Sequence, residues 1–187
     1  GIEANVLDAT IGSKDDDLKD TFYRNEPLPN GLVRIGMTAI RIAGFIGKEY
    51  DIICISSNFT PQTNMAFEVA RIAREVSPNS VIVAGGINAK NLVSRFMATK
   101  LFDLICHSEG EDTIKEIANR VKDGHSLRSI TGTIDREGRR IPAHLIADLD
   151  KLPMPAWDKL LFEKYDQIAS PHGVDLISEG RYAPIMT

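Results

Sequence analysis

The chain runs to 187 residues, 43% apolar and 26% charged, with a formal net charge of −4. That is the balance of a globular chain with one core of ordinary size and room for a tail. The charge and the lack of any Lys/Arg-rich run exclude the usual signals for a nucleic-acid or anionic-membrane partner, and no apolar run approaches the roughly 20 residues that span a bilayer.

In chain order, residues 2–8 read as a short strand. Residues 12–30 are polar, carry Asp15-Asp16-Asp17, Pro27 and Pro29, and read as loop with room for one helical turn. Residues 38–48 have helical spacing, with Ile42, Phe45 and Ile46 on one face. Residues 51–57 (DIICISS) are the clearest strand: the continuous apolar, β-branched run of a strand covered on both faces. Residues 62–76 form a helix with Met65, Val69, Ile72 and Val76 on one stripe, stopped at Ser77-Pro78-Asn79. Residues 80–84 are a strand ended by Gly85-Gly86. Residues 91–99 are a helix with Leu92, Phe96 and Met97 inward, and 104–107 a buried strand. Residues 112–121 are a helix capped by Asp112 and closed by Lys122 and Gly124. Residues 131–139 read as a hairpin turned at 135–138. From Ala147 the chain is Pro-punctuated, with a short helix near 157–165 whose Trp157, Leu160, Leu161 and Phe162 need cover. Strands alternating with helices predict an α/β fold: a Rossmann-like (flavodoxin-like) parallel sheet with helices on both faces, plus a Pro-rich C-terminal tail.

Cys54 and Cys106 both sit in strand-like runs and read as buried free thiols. Cys106 and His107 are adjacent, and adjacent strand side chains point to opposite faces, so the pair cannot chelate one ion. No metal ligands and no catalytic residues are assigned. Reduced thiols and the absence of a signal-peptide pattern point to the cytoplasm.

In an open parallel sheet, ligands bind beyond the carboxyl ends of the strands. The segments there are Asp8-Ala9-Thr10, then Ser56-Ser57-Asn58-Phe59-Thr60, then Gly85-Gly86-Ile87-Asn88-Ala89, then His107-Ser108-Glu109-Gly110-Glu111. Small and hydroxylated residues recur at all four ends, which suits a large flat ligand held by backbone groups and short polar side chains. Each has a plainer reading. Gly85-Gly86 can be a tight turn needing positive φ, Ser56-Ser57 satisfied turn hydroxyls, Glu109 and Glu111 dipole-capping carboxylates, and His107 a hydrogen-bonded structural histidine. The last reading is preferred for His107, and capping for Glu111. The phosphate-cradling patterns G-x-x-x-x-G-K-[ST] and G-x-G-x-x-G are absent, as is G-x-S-x-G.

Taken in order, Gly1-Ile2-Glu3-Ala4-Asn5-Val6-Leu7-Asp8-Ala9, Tyr50-Asp51-Ile52-Ile53-Cys54-Ile55-Ser56-Ser57, Val81-Ile82-Val83-Ala84-Gly85-Gly86, Ser108-Glu109-Gly110-Glu111-Asp112-Thr113, Ile130-Thr131-Gly132-Thr133 and Asp148-Leu149-Asp150-Lys151-Leu152-Pro153-Met154-Pro155-Ala156-Trp157-Asp158 are similar to the cobalamin-binding domain of cobalamin-dependent radical SAM proteins, a group that includes methyltransferases and the anaerobic Mg-protoporphyrin ester cyclase type. The resemblance implies a Rossmann-like domain over 1–146 that holds cobalamin at the strand ends, and a linker over 147–187 toward a radical SAM domain. Arg181-Tyr182-Ala183-Pro184-Ile185-Met186-Thr187 resembles the lead into the C-x₃-C-x₂-C loop that binds the [4Fe–4S] cluster, so S-adenosylmethionine and the cluster are expected only in a C-terminal half beyond this chain. The cofactor contacts implied are Ala9, Thr10, Ser56, Ser57, Asn58, Phe59, Thr60, Gly85, Gly86, Ile87, Asn88, Ser108, Glu109, Gly110 and Glu111, and the expected partners are cobalamin and the protein's own radical SAM domain. Two departures stand out: Asn88 and Lys90 occupy positions where the family often has His and Thr, and no D-x-H-x-x-G motif occurs. They motivate an alternative, a non-catalytic Rossmann-like interaction module that no longer binds cobalamin. A receiver-like domain needs clustered acids, and only Asp8 is suitably placed.

Overall fold

The computed structural model describes residues 2–47 and 50–168. Its elements are β1 (Glu26–Pro27), β2 (Val33–Arg34), α1 (Ala39–Ile46), β3 (Ile52–Ser56), α2 (Thr63–Val76), β4 (Val81–Gly85), α3 (Ile87–Asn91), α4 (Val93–Ala98), β5 (Leu104–Cys106), α5 (Gly110–Lys122), β6 (Thr133–Asp135) and α6 (Phe162–Tyr165). They fall into two compact units, Ala39–Met154 and Glu3–Thr38 with the described residues 155–168. Lys48 and the expected lead segment 181–187 lie outside the described residues.

The larger unit is an α/β fold on a four-stranded sheet of order β3-β4-β5-β6. β3 and β4 run parallel with Ile52 opposite Val81 and Ser56 opposite Gly85, and β4 and β5 run parallel with Val83 opposite Leu104. β6 is antiparallel to β5, so the sheet is mixed: the expected parallel strands β3, β4 and β5 are joined at the edge by an arm of the expected hairpin. The physical reason is the hairpin: its turn closes with Gly138 N–H donating to the Asp135 carbonyl at 2.9 Å, Ile134 bridges Arg140, and its first arm joins the sheet as β6.

Side-chain alternation divides the core. Val83 and Leu104 pack with Ile117 of α5 and Ile130, flanked by Val81, Ile52 and Cys106. Ile82, Ala84 and Ile105, on the opposite face by the period of two, are fully or almost fully buried on the side where α2 and α3 contact the strands. Phe67, Phe96 and Phe102 cluster there with ring centroids 4.9–6.3 Å apart. The buried stripe of α2 is Ala66, Ala70 and Ala73 with Ile72; Met65, Val69 and Val76 flank it half-buried. Small residues let the helix lie close to the sheet, a choice hydrophobicity alone does not reveal. The helix expected at 91–99 breaks at Leu92 (φ −110°, ψ 33°) into α3 and α4, and only Phe96 of its three expected core residues is buried. α5 starts two residues earlier than expected: Glu109 stands at its N-cap, and Asp112 lies in its first turn.

β3 corrects a second expectation. Among the described residues it is an edge strand, so only Ile55 is buried while Ile52 and Ile53 are half-buried. Cys54 is exposed and Cys106 intermediate, not the two buried thiols expected. The Cys54 surface is open to a small reagent, yet the neighbouring protein still desolvates the thiolate and pushes the thiol up to about 11. Desolvation, with the Cys54 charge second, does the same for Cys106, also to about 11.

In the smaller unit, residues 2–8 form no strand. They pair with no described strand, and Ile2 and Val6 remain exposed. The polar stretch that follows holds a 3-10 turn at Leu18–Asp20 and contributes β1, which pairs antiparallel with β2. Ile11, Leu18, Thr21 and Met37 are buried. The Tyr165 hydroxyl donates to the Asp8 carboxylate at 2.6 Å, and the Lys164 ammonium donates to the Ser13 and Asp16 carbonyls. Trp157 and Phe162 lie with ring centroids 6.1 Å apart and stay partly exposed.

Candidate functional site

The parallel register brings three of the four expected loops to one edge of the sheet. Ser56 and Gly85 end β3 and β4 side by side, and β5 ends one residue before His107. Ala9 and Thr10 belong to the other unit, in a turn where Thr10 N–H donates to Asp8 Oδ1 at 2.8 Å.

Within the larger unit the loop residues divide by exposure. Ser56, Asn58, Phe59, Thr60, Ile87, Glu109, Gly110 and Glu111 are exposed, with Phe59 at 64% and Ile87 at 65%. Two large apolar side chains left in solvent on neighbouring loops are the most informative feature, because such exposure marks a contact surface when it is contiguous. Ser57 and Asn88 are buried at 0% and 4%. Asn88 Nδ2 donates to Ser57 Oγ at 2.8 Å and to Thr63 Oγ1 at 2.9 Å, while its Oδ1 is buried without a partner.

The double glycine has two different jobs. Gly86 adopts φ +89°, and a Cβ there would lie 2.5 Å from the Ser57 carbonyl oxygen. A glycine is required there because the backbones of Gly86 and Ser57 touch. Gly85 and Gly110 are the reverse: a Cβ at either would meet nothing within 4 Å, so space lies open above both.

At the β5 end, His107 Nε2 donates to the Ile141 carbonyl at 2.9 Å and is 8% exposed, the structural role preferred from the sequence. Glu111 sits exposed in the first turn of α5, where its charge favours the helix dipole. Gly132, at φ +74°, packs directly under Ser108, since a Cβ there would fall 2.1 Å from Ser108 Oγ. Thr113 Oγ1 donates to the Thr131 carbonyl at 3.0 Å. Ser108, Glu109, Asp112, Glu116, Thr131 and His144 line a cavity of about 150 Å³, far too small to enclose a corrin. Sequence reasoning missed Thr63, Thr131 and Gly132. Thr63 opens a helix and bonds back to the Thr60 carbonyl at 2.7 Å, a recognisable local signal; Gly132 follows a loop whose contact with Ser108 is purely tertiary. Among the described residues no group of three or more His, Cys, Asp or Glu side chains is arranged to hold a metal ion, and no helix is long and apolar enough to cross a membrane.

The fold so defined is an α/β, Rossmann-like domain of the kind found within cobalamin-dependent radical SAM enzymes, which are the solved structures it resembles. It superposes on OxsB, a cobalamin-dependent S-adenosylmethionine radical enzyme with aqua-cobalamin bound, with a TM-score of 0.58 at 23% identity over 70% of this chain and 19% of that one. It superposes on the radical S-adenosylmethionine methyltransferase TsrM from Kitasatospora setae, with cobalamin and a [4Fe–4S] cluster bound, with a TM-score of 0.50 at 17% identity over 62% of this chain and 23% of that one. In sequence it is 30% identical to the uncharacterized methyltransferase PH0819 of Pyrococcus horikoshii over 77% of this chain and 32% of that protein. It is 24% identical to the cytidylyl-2-hydroxyethylphosphonate methyltransferase of Streptomyces wedmorensis over 90% of this chain and 35% of that protein. The chain thus spans about a third of the length of these curated relatives. No family model matches it.

Proposed function

We propose that the chain is the cobalamin-binding domain of a radical SAM enzyme, and that the corrin lies on the rim formed by the loops after β3, β4 and β5. The observation that carries this is the combination of open space over Gly85 and Gly110 with solvent-exposed Phe59 and Ile87 on the same rim. A flat macrocycle needs backbone it can approach closely and apolar side chains to lie against. Ser56, Asn58, Thr60 and Ser108 supply short polar groups for its amide periphery, and Gly86, Glu109 and Glu111 complete that rim. Ser57 and Asn88, buried beneath the rim, act from behind it.

When bound, cobalamin would supply a methyl group carried on cobalt or related radical chemistry. This chain's own residues bind and orient the cofactor and shed water from its apolar side. Residues 1–146 are proposed as the binding domain and 147–187 as a linker to the protein's own radical SAM domain, which would hold S-adenosylmethionine and the [4Fe–4S] cluster; the protein is placed in the cytoplasm.

The contact between Gly86 and Ser57 favours the second reading, an interaction module without cofactor, because it closes part of the expected gap. Titration of the purified chain with hydroxocobalamin separates the two. The expected result is a saturable change in the corrin absorption bands, and a spectrum identical to free hydroxocobalamin at high protein concentration overturns the cobalamin reading.

A further inference from the structure

We infer that Asn88 is a positioning residue that sets the placement of Phe59 at the ligand-facing rim by tying both ends of the loop after β3 to the first turn of α3. The inference takes the identity of the ligand from the reading above; its structural part stands on the hydrogen bonds alone.

The five residues 58–62 are all exposed, whereas the residues on either side, Ser57 and Thr63, are buried. Asn88 bonds both anchors. Its Nδ2 donates to Ser57 Oγ at 2.8 Å and to Thr63 Oγ1 at 2.9 Å, and its backbone N–H donates to the Ser57 carbonyl at 3.0 Å. Thr63 Oγ1 gives its own proton to the Thr60 carbonyl at 2.7 Å, so it has only acceptor capacity left for Asn88, and the chain of bonds runs in one direction from Asn88 through Thr63 into the loop. Among the described residues, the loop's other hydrogen bonds to its surroundings are long: Asn58 Nδ2 to Ser56 Oγ, and Ile87 N–H to Asn58 Oδ1, both at 3.4 Å.

Asn88 is poorly suited to touch a ligand itself. It is 4% exposed, both amide protons are used within the protein, and Oδ1 is buried without a partner. A buried carbonyl oxygen left unbonded is unfavourable, so what the position requires is the pair of N–H groups directed at two hydroxyls. Holding Phe59 in place before the ligand arrives lowers the ordering cost of binding.

The test uses Asn88→Ala, with Thr63→Val as a similarly shaped second variant that removes the α2-side tie together with the Thr63–Thr60 bond and leaves the tie to Ser57 in place. Hydrogen exchange of the peptide covering 58–62 is measured without ligand, and hydroxocobalamin is titrated by absorption. Faster exchange in both variants, a Kd raised about tenfold in Asn88→Ala, less in Thr63→Val, and an unchanged spectrum of the bound corrin support the inference. Wild-type exchange in the variants, unchanged affinity, or an altered bound spectrum, which would mean direct contact, overturns it. If Asn88→Ala does not fold, Thr63→Val decides by the same readings. A wild-type chain that binds no corrin overturns the cobalamin reading and with it the ligand half of the inference, while exchange still decides whether Asn88 holds the loop.

Discussion

Replacing each half of the double glycine by alanine separates the glycine held against the Ser57 backbone from the one with open space above it. In Gly86→Ala the new Cβ would sit 2.5 Å from the Ser57 carbonyl oxygen and 2.8 Å from its carbon, in a residue held at φ +89°. Neither neighbour can yield easily, because that carbonyl accepts the Asn88 N–H and the Ser57 N–H donates to the Gly85 carbonyl at 2.9 Å. Left-handed backbone for a non-glycine costs roughly 1–2 kcal/mol, and forcing two backbones apart adds a comparable amount, for a total of about 2–4 kcal/mol. For a chain of this size that lowers Tm by about 5–15 °C. Gly85→Ala meets nothing within 4 Å and lies at the end of a strand, so its stability stays within about 0.5 kcal/mol of wild type. Its expected loss is in hydroxocobalamin affinity, since the methyl group projects where the ligand would lie. Thermal unfolding by circular dichroism and the absorption titration read the two effects separately. A Gly86→Ala protein that melts with the wild type refutes the close-contact argument. A Gly85→Ala protein that binds corrin as tightly as wild type refutes the rim.

Asp135 is 5% exposed. Burial raises its pKa, but the Arg139 N–H and guanidinium and the Glu137 N–H outweigh that and hold the carboxyl below the usual range. A depressed folded-state value means the stabilisation is present above the unfolded pKa, near 4, and is lost as pH falls through the folded one. Asp135→Asn should cost about 1–2 kcal/mol at pH 7, and the gap to wild type should close in acid; a gap independent of pH in denaturant titrations contradicts this. Cys54 should react with a maleimide before Cys106, because it is exposed while Cys106 is intermediate. With thiols near 11, both should react roughly a few hundredfold more slowly at pH 8 than a free cysteine. Equal rates for the two, or the rate of free cysteine, would show that the edge of β3 is covered or the desolvation misjudged.

Local composition located β3, β4 and β5, and helical spacing located α1, α2 and α5. The runs 51–57, 80–84 and 104–107 contain β3, β4 and β5, and the turn residues 135–138 marked the hairpin. Local composition suffices there because an apolar β-branched run between turn residues has few other places to go. Residues 2–8 carry much of the same composition and form no strand, since a strand exists only where another offers its edge. Cys54 was misjudged for a related reason: an apolar run shows that a strand has a core to join, and only its place in the sheet decides whether it has one neighbour or two.

The site divides in the same way. That three loops rich in glycine and small polar residues share one edge of the sheet was legible from the sequence because parallel strands place their carboxyl ends on one edge. Which glycine is filled by protein and which is open was decided by tertiary contact: Ser57 reaches Gly86 but nothing reaches Gly85 or Gly110. Likewise Asn88 is buried and bonded within the protein because Ser57 and Thr63, 31 and 25 residues away in sequence, converge on its amide. Composition states what a residue can bond to, and only the folded chain brings the partner within reach.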